Sequence, residues 1–247
     1  MKKKQLDKIS VCMTTFNGGR FVEEQIKSIL CQLRAYDELI ISDDGSIDDT
    51  LQIIEKINDN RVRVIFNRKI IPPFKVCENN FFVTANFENA LNNVSGKFIF
   101  LCDQDDIWLP NKVEESLNAL KSNKCSLVMS TINVIDSEGK VFQKNSKLKK
   151  TSFWVALKRS QFLGSTMVFD RCFLNEILPF PKYTVSHDAW IGLIANFQNK
   201  LYFIDKPLIH YRRHGNNVTA KNSNPLWFKL LYRMYFLYTV IYRTYSK

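Results

Sequence analysis

The chain has 247 residues, 45% of them apolar and 24% charged, with only 8 glycines and 7 prolines, which excludes a disordered or low-complexity chain and allows a sizeable core. The net charge of +11 is uneven: residues 1–120 carry 15 Lys and Arg against 18 Asp and Glu, residues 121–247 carry 20 against 6. The basic second half calls for a negative partner, and nucleic acid, an anionic membrane and phosphorylated ligands all match it.

The six cysteines, at 12, 31, 77, 102, 125 and 172, form no CxxC pair. Reduced core thiols in a cytosolic protein are expected, not a zinc site. The basic N-terminus lacks the apolar core of a signal peptide, and no run reaches the roughly 18–20 apolar residues of a spanning helix.

In chain order, "KISVCMTTFNGG" predicts a buried strand over 9–15 ending in a turn. Apolar residues at 22, 26, 29, 30 and 33 predict a helix, and "DELIISDDGS" a strand over 38–42 closed by a turn. "IDDTLQIIEKI" reads as a helix with Asp48 as N-cap, "RVRVIF" as a third strand, and 67–79 as a loop broken by Pro72-Pro73. "FFVTANFENALNNV" predicts a third helix, "KFIFLCD" a fourth strand, and "PNKVEESLNAL" a helix with proline in its first turn. Strands alternating with helices imply βαβ units and a mostly parallel sheet.

After residue 120 the pattern changes. "CSLVMSTINVID" and "GKVF" flank "SEG" as a hairpin. "TSFWVALKRSQ" reads as a helix, "GSTMVFDR" as a strand, "VSHDAWIGLIANFQ" as a helix from near His187, and "KLYFIDKPLIHYRRHG" as strand and turn. No linker divides the halves, so one domain over 1–224 (halves 1–120 and 121–224) plus a tail over 225–247 is expected.

Ligands of such sheets sit beyond the carboxyl ends of the strands. "TTFNGG", "SDDGSIDD" and "DQDDIW" all fall there. In extended backbone Asp103 and Asp105 share a face, with Gln104 turned away. Two close carboxylates repel unless a cation lies between them, and oxygen ligands suit Mg²⁺ or Mn²⁺. A solvated turn, with Asp106 capping the helix at Pro110, is the alternative. Asp43 and Asp44 admit two readings as well, a ligand for a nucleobase N–H or an ordinary turn. His187-Asp188 offers either a general base or a helix cap. Arg212 and Arg213 are candidate phosphate clamps and His214 a candidate metal ligand. No P-loop, GxGxxG or GxSxG motif is present.

Taken together, "ISVCMTTFNGG", "ELIISDDGSIDDT", "GKFIFLCDQDDIWLPNKVE", "GSTMVFDR", "HDAW" and "YRRHGNNVT" resemble, in order, family 2 of the glycosyltransferases with the GT-A fold, in its bacterial rhamnosyltransferase-like form. The resemblance implies an inverting, metal-dependent enzyme. Thr15, Asn17, Asp43, Asp44 and Asp103 would hold the nucleotide sugar, with Arg212 and Arg213 assisting. Asp105, Asp103 and His214 would lie at the metal, Asp188 would be the catalytic base, and Trp190 and His187 would shape the acceptor pocket. The implied donor is dTDP-L-rhamnose, with a UDP-hexose as the alternative, and the acceptor a lipid-linked glycan of a bacterial surface polysaccharide.

In the tail "PLWFKLLYRMYFLYTVIYRTYSK", a 100° advance per residue from Lys229 puts Arg233 at 40°, Arg243 at −40° and Lys247 at 0°. One cationic sector amid aromatic faces reads as a helix in a membrane interface, and the resemblance implies a cytoplasmic protein peripheral to the inner face of the bacterial membrane. A helix packed on the domain with a basic outer face is the alternative. A nucleic-acid-binding module leaves the acidic strand ends unexplained, so no nucleic acid partner is expected.

Overall fold

The computed structural model describes residues 7–68, 72, 77–123, 125–146, 151–215 and 225–246. Pro73, the Asn216–Thr219 end of the "HGNNVT" stretch and Lys247 lie outside the described residues. Four parallel strands, β1 (Ile9–Thr15), β2 (Glu38–Asp43), β3 (Val62–Phe66) and β4 (Phe98–Asp103), lie in the order β3-β2-β1-β4. The period-2 alternation of a strand gives this sheet two apolar faces. Val11, Met13, Leu39, Ile41, Phe98 and Phe100 pack with α1 (Val22–Leu30) and α2 (Thr50–Ile57). Cys12, Ile40, Ile99 and Leu101 share a second cluster with Phe87, Ala90 and Leu91 of α3 (Glu78–Asn92).

The sheet continues past β4 but becomes mixed. It adds β5 (Ile107–Trp108), β6 (Leu127–Ile135), β7 (Val141–Ser146), β8 (Val168–Asp170) and β9 (Leu201–Arg212). β8 is antiparallel to β4 and β6, β7 to β6, and β5 to β9, whereas β6 and β9 are parallel. Antiparallel neighbours need no crossover helix, so the βαβ rhythm stops. The predicted hairpin over 125–142 forms as β6 and β7, with Gly139 in its turn at φ 83°. β9 runs through Pro207, where its pairing with β6 shifts register, as a residue without an N–H requires.

The remaining helices are α4 (Lys112–Ser122), α5 (Phe153–Lys158), α6 (Arg171–Ile177), α7 (His187–Phe197) and α8 (Leu226–Tyr245). Three local expectations are corrected. Pro110 precedes α4 instead of opening it, and Asn111, left-handed at φ 67°, is the N-cap. α2 starts at Thr50 after Asp49, although the Asp48 carboxylate still accepts from the Thr50 N–H at 3.1 Å. The start of "GSTMVFDR" is a single 3₁₀ turn at Gly164–Thr166, and α6 follows β8 directly, with Asp170 accepting from the Phe173 N–H at 2.8 Å.

α8 docks on α7 and α5 with its cations inward, opposite to both sequence readings. Arg233 Nη2 donates to the Lys158 carbonyl at 2.6 Å. Arg243 donates to the Glu176, Leu178 and Pro179 carbonyls at 2.6–3.1 Å and lies 5.5 Å from the Trp190 ring centre. Phe228, Phe236 and Val240 are buried, while Trp227, Leu231, Met234, Tyr238, Ile241 and Tyr245 face outward. Among the described residues no helix is long and apolar enough to cross a membrane.

Candidate active site

The chain leaves β1 toward β2 and β3 on one side and returns to β4 on the other, so β1 and β4 flank a topological switch point. Register brings the polar ends together: Thr15 lies opposite Asp43, and Thr14 opposite Asp103. The buried Asp43 carboxylate accepts from the Thr15 hydroxyl at 2.8 Å, the Ser46 hydroxyl at 2.6 Å and the Gly45 and Ser46 N–H groups at 2.9 and 2.8 Å. Thr15 and Asp43 therefore shape the loop and present no side-chain group to a nucleotide, which corrects their expected role. Asp44 is also buried and accepts from Asn67 Nδ2 at 3.0 Å. Asn17 is exposed and left-handed at φ 49°, and its Oδ1 accepts from the Ile47 N–H at 2.9 Å.

The chain turns directly after Asp103, so Asp105 stands on a turn, not on an extended strand. Gln104 does point away: its amide accepts from the Phe16 N–H at 2.9 Å and donates to the Phe16 carbonyl at 3.1 Å. That two-point clamp joins the β1 and β4 loops, and the close Gly18 leaves room for it, since a Cβ there would meet Gln104 Oε1. Burial, then the charges of Asp105 and Asp188, push the Asp103 carboxyl up to about 7. Residues 103, 105 and 188 thus place three carboxylates within electrostatic reach.

Asp188 lies in the first turn of α7, where its Oδ1 accepts from the Ser186 hydroxyl at 2.5 Å and the Ala189 N–H at 2.7 Å. Its neighbours are not pocket walls, which corrects both acceptor assignments. Trp190 is fully buried, donates to the Ile177 carbonyl at 3.0 Å and stacks on Phe236. His187 is buried with its ring 4.0 Å from Phe87, and burial lowers its pKa, so it is neutral.

Arg212 is no phosphate clamp. Its buried guanidinium bonds Glu24 at 2.6 Å and the Asp105 and Ser137 carbonyls at 2.9 and 3.1 Å, and it covers the Phe21 ring at 4.7 Å. It ties α1, the aspartate loop and the β6–β7 turn together. Arg213, by contrast, is exposed. His214 Nε2 lies 2.8 Å from Asp105 Oδ2 and so orients that carboxylate.

Among the described residues no three His, Cys, Asp or Glu side chains gather closely enough to hold a metal alone. The acidic pair fits a hard dication whose other ligands come from a substrate's phosphates, because Mg²⁺ commonly takes one or two carboxylates plus phosphate oxygens. The raised Asp103 pKa marks negative charge that lacks compensation within the protein.

The profile of glycosyl transferase family 2 matches residues 10–180. This chain belongs to that family. It is a glycosyltransferase with the GT-A fold. It is 27% identical over 232 residues to dTDP-rhamnosyl transferase RfbG of Shigella flexneri, covering 90% of this chain and 77% of that one. It is 28% identical over 190 residues to the Escherichia coli UDP-Glc:alpha-D-GlcNAc-diphosphoundecaprenol beta-1,3-glucosyltransferase WfgD, covering 76% and 70%. The crystal structure of S. aureus TarS 1-349 in complex with UDP-GlcNAc superposes with a TM-score of 0.66 at 17% identity, covering 97% of this chain and 73% of that one.

Two buried ionisable groups underpin this glycosyltransferase's aspartate loop and were not legible beforehand. Asp106, read as a helix cap, instead accepts from the Arg212 N–H at 3.0 Å; burial, then the charges of Asp105 and Asp103, push its carboxyl well up. Fully buried Lys112 donates to the Ser165 carbonyl at 3.2 Å and lies 5.0 Å from the Trp108 ring centre. Burial pushes its ammonium down to about 8. In "PNKVEE" it looks like any surface lysine; only the short β5 pairing, invisible in sequence, folds the loop over it.

Proposed function

We propose that this glycosyltransferase transfers a sugar with inversion from a nucleotide-sugar donor to a hydroxyl of a lipid-linked glycan in bacterial polysaccharide synthesis. The dTDP-rhamnosyl relative supports L-rhamnose from dTDP-rhamnose as the donor sugar, and the UDP-Glc-dependent relative supports a UDP-hexose as the second reading. The observation that carries the proposal is that buried Asp103, at the carboxyl end of β4, lies within electrostatic reach of both Asp105 and Asp188.

In this reading Asp105, oriented by His214, and Asp103 would hold a Mg²⁺ or Mn²⁺ ion against the donor's diphosphate. Such an ion supplies charge neutralisation for the leaving nucleoside diphosphate. Exposed Arg213 adds positive charge at the same rim. Asp44 and Asn17 lie where the nucleoside enters. Asp188 accepts the acceptor hydroxyl's proton as that oxygen attacks the anomeric carbon. Ser186 and the Ala189 N–H hold one of its oxygens, and Oδ2 makes no hydrogen bond among the described residues. The outward apolar stripe of α8 supports a peripheral membrane location, by apolar contact instead of the expected cationic sector.

Asp188→Asn tests the base. It is expected to lower kcat by about 10²–10⁴-fold while calorimetric binding of the donor nucleotide stays at the wild-type level. Near wild-type turnover would remove Asp188 from this role.

A further inference from the structure

Beneath α8 lies a cavity of about 230 Å³, bordered by α5, the start of α7 and the start of α3. Its walls include the apolar Leu157, Leu193, Phe228 and Phe236, and two cations, Lys229 and Arg233, reach it from α8. No Asp or Glu lines it. Among the described residues Lys229 makes no ion pair, and Arg233 donates to the Lys158 carbonyl. Both side chains are half-buried, and two cations with no carboxylate in the lining favour an anion. Ser186, the N-cap of α7, lines the same cavity. The Ser186 hydroxyl also donates to Asp188, so the cavity is one side chain away from the proposed base.

We propose that this cavity is the acceptor's anchoring subsite: Lys229 and Arg233 bind the phosphate of a lipid-linked acceptor, and the apolar walls take the first part of its hydrocarbon chain. The proposal rests on the glycosyl-transfer reading above and adds to it where the acceptor binds and by which chemistry. The volume falls below that of pockets that engulf a whole small molecule, which suits a head group and not an entire glycan. No carboxylate lines the cavity, so phosphate binding there needs no divalent ion.

Calorimetry of the full chain with farnesyl phosphate, in chelator, tests this. Farnesyl phosphate is expected to bind, and inorganic phosphate about tenfold or more weakly. Lys229→Gln is expected to weaken farnesyl phosphate by about tenfold. Ser160→Trp, at an exposed position on the cavity rim, is expected to block it sterically. Both variants should keep the wild-type melting temperature and wild-type binding of UDP or dTDP with Mn²⁺. Equal affinity for inorganic and farnesyl phosphate, or farnesyl phosphate binding unaffected by both variants, overturns the subsite and leaves the donor reading intact. Failure of the nucleotides to bind wild-type protein strikes the donor reading instead.

Discussion

The guanidinium of Arg212 shows how far residue type falls short of residue role. In "YRRHG" two adjacent arginines have equal claim to a phosphate, yet one is buried and one exposed. Strand alternation makes that choice, and the burial of Arg212 follows from the β5–β9 and β6–β9 pairings, which no local signal announces. Arg212→Lys keeps the charge but not the fork that reaches three segments. Its ion pair with Glu24 is discounted because Glu24 is 57% exposed. The main cost is the desolvated Asp105 and Ser137 carbonyls, so a loss of about 2–5 kcal/mol is expected in urea unfolding. An unchanged midpoint would contradict the framework role. Glu38 gives a pH test at the opposite end of the sheet. Burial pushes its carboxyl up, but hydrogen bonds from Lys8, Ser10 and Ser95 outweigh this and hold it at about 2. A depressed carboxyl pKa contributes stability above the ordinary value near 4.3, and that contribution disappears as pH falls toward the folded value. Glu38→Gln should therefore destabilise at pH 7, by on the order of 2 kcal/mol, and the difference should close between about pH 4 and 2. A difference constant across that window would assign the effect to packing.

At the scale of elements, the long periodic segments were legible and the short ones were not. β1, β2 and β4 announce themselves by apolar runs that end in polar turns, and α1, α3 and α7 by helical spacing. β5, two residues long, and α6, seven, depend on long-range partners. For α8 the wheel identified a helix with one cationic sector but not which way that sector faces. The domain decides: it presents the carbonyls of Glu176, Leu178 and Pro179 to Arg243, together with the face of Trp190. The two faces of α8 should therefore respond differently. Phe236→Ala removes a ring stacked on Trp190 and is expected to cost about 3–5 kcal/mol. Met234→Lys on the outer face should leave stability within about 0.5 kcal/mol but lower partition onto phospholipid vesicles. If Met234→Lys partitions as the wild type does, the outer stripe is not a lipid contact.

For the whole molecule, a single sheet joins an acidic first half of the chain to a basic second half. The acidic motifs lie at the β2 and β4 ends, which the sheet order puts on either side of β1, and Asp188 on α7 acts electrostatically on Asp103. Thr15, Asp43, Arg212, Trp190 and His187 are buried in the frame around these strand ends. Burial, then the like charges of Asp105 and Asp188, raise the Asp103 carboxyl, so a divalent ion and a nucleoside diphosphate should bind as a unit. Calorimetric titration of UDP and dTDP, with and without Mn²⁺, into wild-type protein and Asp105→Ala measures this directly. The expected result is nucleotide binding to the wild type that needs the ion and is lost in Asp105→Ala. Ion-independent binding, or binding equal in the two proteins, would contradict the assignment of the strand-end aspartates to the donor.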